Sequence, residues 1–102
     1  MSDTGGPVKV PISGQSTFVS VTNYNGVNCN QYSLAISSTD NAAHNGVSLT
    51  PPASCYVNPS NVNVPSTGSV TVNVYIPTTI TGPESVTASA TGYANNTLQV
   101  QS

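Results

Sequence analysis

One lysine, three acids, one histidine and two cysteines are the side chains with which this 102-residue sequence could move protons, attack carbon or hold a metal. His44 and Asp40 share a polar stretch running from Ser38 to Gly46. A Ser–His–Asp relay needs the histidine held by a carboxylate and set beside a nucleophile. Serines are plentiful, but no G-x-S-x-G elbow is present, and His44 reads as a solvated loop histidine. Glycoside hydrolysis needs two carboxyl groups flanking one bond, and a calcium ion wants several at one place. Asp3, Asp40 and Glu84 are too dispersed for either. Cys29 and Cys55 are too far apart for a CxxC motif and have a single histidine to join them, so no zinc set forms. No catalytic residue, metal or cofactor is expected, and the chain is read as not an enzyme.

Cys29 and Cys55 are expected to form an intradomain disulfide. On the chain-entropy view it would stabilise the fold by about 3–4 kcal/mol and point to an oxidising location or a thermophile. The other reading is a pair of buried thiols. Among the five tyrosines, Tyr24, Tyr75 and Tyr93 are the candidates for ligand contact. Tyr75 should point outward from its strand and the other two sit near turns, where rings could stack on a carbohydrate. Tyrosines in sandwiches also serve as corners and edge packing. Asn95-Asn96-Thr97 is the sole N-glycosylation sequon, with Asn95 as acceptor.

The charge inventory excludes whole classes of partner. Only 4% of residues are charged and arginine is absent. Displacing counterions from phosphates takes several Lys or Arg, and anionic lipid makes the same demand, so neither nucleic acid nor a membrane surface is an expected partner. No stretch is long and apolar enough to span a bilayer. Met1 to Gly14 lack the basic start and apolar run of a signal peptide. Met1-Ser2 is then an expression scar on an excised domain, or the chain is a complete frame without a secretion signal, as in virion proteins. Solubility must come from Ser, Thr, Asn and Gln, a composition of extracellular, cell-surface and virion β-proteins.

The elements that position these residues read as strands. Val and Thr dominate, no helical period occurs, and turn residues recur at the spacing of a sandwich. The expected strands are Pro7–Ile12, Gln15–Tyr24, Asn30–Ser38, Val47–Leu49, Cys55–Asn58, Val62–Pro65, Ser69–Pro77, Ser85–Thr91 and Thr97–Gln101, the shorter ones being marginal. In the second, Thr17, Val19 and Val21 should face one way and Phe18, Ser20 and Thr22 the other. Inward positions are Tyr32, Leu34 and Ile36; Val70, Val72, Val74 and Ile76; Val86, Ala88 and Ala90; Leu98 and Val100. Ser69–Pro77 and Ser85–Thr91 should form a hairpin. Asn25-Gly26 and Asn45-Gly46 carry turn chemistry, and Ser38–Gly46 is the expected mobile loop. The fold class is thus all-β: an immunoglobulin-like antiparallel β-sandwich of about seven strands with one disulfide. It occupies residues 7–102 as a single domain behind a flexible tail at 1–6.

Three stretches also resemble bacterial and archaeal Ig-like surface modules. Gly14-Gln15-Ser16-Thr17-Phe18-Val19-Ser20-Val21-Thr22-Asn23 resembles their opening strand. The run from Asn58-Pro59 through Val62-Asn63-Val64-Pro65 to Gly68-Ser69-Val70-Thr71-Val72 is similar to their central segment. Ile80-Thr81-Gly82 through Thr87-Ala88-Ser89-Ala90-Thr91 looks like their hairpin. The named families are the alpha-galactosidase-associated (NPCBM-associated) domains and the CARDB-type adhesion domains, over Gly14 to Val100. The resemblance implies a non-catalytic accessory role in surface proteins, hydrolases or filaments, and carries over no catalytic residues. Some surface Ig-like domains join a first-strand lysine to a last-strand asparagine as an isopeptide, assisted by a buried acid. Lys9, Asn95 or Asn96, and Glu84 are the residues that could do so here, against the plainer reading of Lys9 as a solitary exposed lysine.

The function expected from these features is a structural or adhesive module working through contacts with other subunits or neighbouring domains, including self-assembly by edge-strand pairing. An accessory carbohydrate-binding module is the alternative. Acid unfolding largely reflects protonation of paired carboxylates, and this chain has three acids. The near-UV circular dichroism signal is therefore expected to persist between about pH 5 and pH 2; a steep loss across that range would contradict this.

Overall fold

The computed structural model describes residues 8–101, so the expected tail at 1–6 lies outside the described residues. Eight strands form: β1 (Ile12–Tyr24), β2 (Val27–Ser38), β3 (His44–Thr50), β4 (Tyr56–Asn58), β5 (Asn61–Val64), β6 (Ser69–Pro77), β7 (Glu84–Ser89) and β8 (Asn96–Val100). They make two antiparallel four-stranded sheets, ordered β1-β2-β6-β4 and β5-β3-β7-β8.

Period-two alternation explains why the sheets face each other. Leu34, Ile36, Val72, Val74 and Ile76 project from the first sheet, and Val47, Leu49, Val62, Val64, Val86, Ala88, Leu98 and Val100 from the second, into one buried cluster. The expected inward residues of β2, β6, β7 and β8 are all there, with Val70 and Ala90 half-buried at its margin.

Three local expectations change. Pro7–Ile12 is not a strand among the described residues. Lys9 makes a single parallel bridge to Ala94, with Val10 N donating to the Ala94 carbonyl and Ala94 N to that of Val8. The chain then crosses to the first sheet, where β1 begins at Ile12. Ser69–Pro77 and the following strand are not a hairpin, because β6 and β7 belong to different sheets. The connection between them anchors Ile80 on the core instead. Asn45-Gly46 is not a loop turn but an irregularity inside β3, where the register with β5 shifts between His44 and Val47 and Gly46 takes φ 70°.

The β1–β2 turn forms as its sequence predicts. Asn25 (φ 53°) and Gly26 (φ 82°) are both left-handed, the type I′ pattern that suits the twist of a two-residue hairpin. A bulge follows Phe18: Phe18 pairs with Tyr32, but Ser20 pairs with Gln31, leaving Val19 without an opposite number. The bulge resets the alternation. Phe18 and Val21, expected on opposite faces, both lie on the core-side face, level with Tyr32 and Asn30.

Replacing Leu34, fully buried at the centre of the core, with alanine should cost about 2–5 kcal/mol. Val8→Ala, at a side chain 75% exposed, should shift stability by no more than about 0.5 kcal/mol. Chemical denaturation of the two variants checks the contrast.

Candidate functional site

His44 is placed differently from the sequence expectation. It opens β3 rather than floating in a mobile loop, and it is buried. Its Nε2 lies 2.7 Å from Asp40 Oδ1. The Ser38 hydroxyl donates to the same oxygen at 2.8 Å, and the Ala42 amide donates to it at 3.2 Å. The imidazole and the Tyr93 ring stand nearly perpendicular, at 83°, with centroids 5.6 Å apart. In a relay the histidine stands between nucleophile and acid; here the acid stands between serine and histidine, so His44 does not activate Ser38. The cluster fastens the 39–43 connection to the sheet. Hydrogen bonds from His44 first, and then from Ser38, hold the Asp40 carboxyl below its ordinary 3.8. Because that folded-state value is depressed, the stability these bonds give is present above 3.8 and is lost as the pH falls through the lowered value. A hollow of about 280 Å³ beside them is lined by His44, Asn45, Gly46, Ala90, Thr91 and Tyr93.

The expected Cys29–Cys55 disulfide is absent; both cysteines are buried free thiols. The register explains why. Cys29 on β2 sits opposite Pro77 of β6, and Cys55 immediately precedes β4, on the far side of β6. Two strand spacings, about 9–10 Å, separate them, beyond the roughly 7 Å that a disulfide can span between Cα atoms. Alternation also aims them at opposite faces. Cys55 joins the core, whereas Cys29 shares the outer face with Thr22 and Pro77. Burial first, then the nearby Glu84 and Cys29, push the Cys55 thiol up to about 11, so it stays protonated and unreactive near neutrality.

The tyrosines divide. Tyr24 and Tyr75 stack at 4.3 Å across β2, over the position of Cys29. Tyr56, not among the expected contact residues, joins them at 4.8 Å from Tyr24. Its signal was the outward parity of β4, legible only once Tyr56 is known to pair with Tyr75. Tyr93 stands apart with His44.

The isopeptide set is not assembled. Asn96 spends its amide group on the carbonyls of Val10 and Ile12, at 3.1 and 3.0 Å. Glu84 pairs with Val100 while Asn96 pairs with Ala88, which places the acid about 13 Å along the strands from the amide. Lys9 and Asn95 are both exposed, and the Asn95 side chain is accessible as a glycosylation acceptor.

The four sheet edges are the remaining features with binding potential, and three are guarded. β4 has three residues, with Pro59 at its end and Pro51-Pro52 upstream. β5 has four, bracketed by Pro59 and Pro65. Short strands and prolines are standard protection against edge pairing. β8 lies alongside the first part of β1, to which it is tied by the Asn96 bonds and by Gln101 N donating to Ser16 Oγ at 3.3 Å.

The fourth edge is β1 beyond Ser16, and it differs from the rest. Thr17-Phe18-Val19-Ser20-Val21-Thr22-Asn23-Tyr24 contains no charge, proline or glycine. Phe18, Val19 and Val21 are 52%, 53% and 59% exposed, against 3% for Ile12 at the start of the same strand. The second sheet covers the beginning of β1 and stops short of its end, so among the described residues the outer edge and the core-side face of this stretch are open together.

Compared with known protein families, curated proteins and solved structures, the chain matches no family model, no curated protein and no solved structure.

Thiol titration checks the cysteine geometry. The native chain at pH 8 should expose no fast-reacting thiol, and the denatured chain two. A denatured chain that still shows none without reductant would restore the disulfide.

Proposed function

We propose that this domain is a non-catalytic, Ig-like structural or adhesive module of an exposed surface (cell surface, filament or virion) that works by protein–protein contact along the free part of β1. The observation that carries this reading is the uncharged Thr17–Tyr24 edge with Phe18, Val19 and Val21 uncovered. An unpaired strand offers a row of N–H and C=O groups that another strand can satisfy, and exposed side chains on alternate positions supply selectivity.

The Ig-like assignment is supported by strand order: β1-β2-β6-β4 and β3-β7-β8 correspond to the ABED and CFG sheets, with β5 added beside β3. The likeness of Gly14 to Val100 to NPCBM-associated and CARDB-type modules agrees with an accessory role. Exposure of the surface to the outside rests on the charge-poor, hydroxyl-rich composition alone, since the free thiols remove the disulfide as a reason for an oxidising compartment. The titratable groups that could have suggested catalysis are engaged otherwise, with His44 and Ser38 both bonded to Asp40.

A second reading, an accessory module for neutral carbohydrate, is favoured by the grouping of Tyr24, Tyr56 and Tyr75 on one outer face, where Gln31 lies level with Tyr75. Tyr93 is not part of that group.

Hydrogen exchange tests the leading reading. In the assembly where the chain naturally occurs, backbone amides within Thr17–Tyr24 should exchange more slowly than in the isolated chain, while those of β3 and β7 stay unchanged. Equal exchange along β1 in both states would rule the reading out.

A further inference from the structure

Resting on the reading of β1 as the contact edge, we propose that its occupant is the same edge of a second copy of this chain, paired antiparallel about a two-fold axis. The open groups on Thr17–Tyr24 are those of a strand edge, so the complementary surface is another extended strand. Charge narrows the choice. The stretch from Val10 to Thr39 contains no charged residue, so two copies approach along β1 without like-charge repulsion, and a partner selected by charge would find nothing here to read.

The side chains are self-complementary under that symmetry. A two-fold axis through Ser20 brings each Val21 beside Val19 of the other copy, and places both Phe18 rings on the core-side face of the joined sheets. Side chains that are half-exposed in a single copy then shield one another. The bulge at Val19 adds local twist and keeps the pairing to a few residues on either side of Ser20. The other edges cannot substitute, because they are short, flanked by proline or bonded to β1. Two four-stranded sheets would then run together through a β1–β1 seam. The contact involves few side chains, well short of the roughly 800 Å² per partner of a standard interface. The dimer is therefore reversible and depends on concentration.

Sedimentation equilibrium of the whole chain from about 1 μM to 1 mM tests this. A monomer–dimer equilibrium is expected. Val21→Lys should weaken it by about tenfold or more, since an edge lysine guards against pairing. Ser48→Lys, an equal charge change at an exposed β3 position, should leave it unaltered. Under mild oxidation, Ser20→Cys should give a covalent dimer that Ser48→Cys does not, the two native thiols being buried. Far-UV circular dichroism shows that each variant keeps its fold. A chain that stays monomeric throughout, or a dimer indifferent to Val21→Lys and not captured by Ser20→Cys, overturns the proposal. In either case slowed exchange of β1 in the native assembly would still uphold β1 as an edge for a different partner.

Discussion

The β1–β2 hairpin is longer than the sheet available to cover it. β1 runs thirteen residues and β2 twelve, whereas no strand of the opposing sheet exceeds seven. Sheet-on-sheet burial is what holds a sandwich together, so wherever the second layer ends, the first must expose apolar surface or replace it with polar residues. Here it does some of each. Asn23 and Asn30 are polar on the core-side face near the tip, but Phe18 and Val21 are not. The molecule is drawn out to 49 × 28 × 21 Å as a result.

With charges almost absent, amides and hydroxyls take over the tasks that ion pairs perform elsewhere. Asn96 joins β8 to the entry of β1, Asn63 caps the Gly46 amide at 2.9 Å, and Gln99 reaches Ser85 across β7–β8 at 2.7 Å. The one acid–histidine contact among the described residues, Asp40 with His44, anchors a loop. The amide and hydroxyl bonds hold geometry across a wide range of pH because their partners do not titrate. They also leave the sheet edges without the lysines and inward charges that commonly keep strands apart. The acid tolerance expected of the chain and the openness of β1 trace to the same composition.

The cysteines show how a contact that sequence separation allows can be forbidden by register. Nothing in the spacing of Cys29 and Cys55 argues against a bond. What prevents it is the insertion of β6 between β2 and β4, together with the alternation that points one thiol into the core and the other under the Tyr24–Tyr75 stack. The same insertion groups Tyr24, Tyr56 and Tyr75 and leaves Tyr93 with His44.

Local chemistry made much of this legible in advance. Alternating apolar residues marked β6 to the residue and the inward faces of β2, β7 and β8, because a strand's two faces differ only in parity. Asn25-Gly26 marked its hairpin, because few residue pairs tolerate two left-handed conformations in succession. Pairing was not legible, because a strand carries no mark of which neighbour it will bond. That β6 follows β2 and not β7, that His44 is buried, that the bulge turns Phe18 and Val21 to one face, and that among the described residues only β1 keeps an open edge are all decided when two layers of unequal length close over one core.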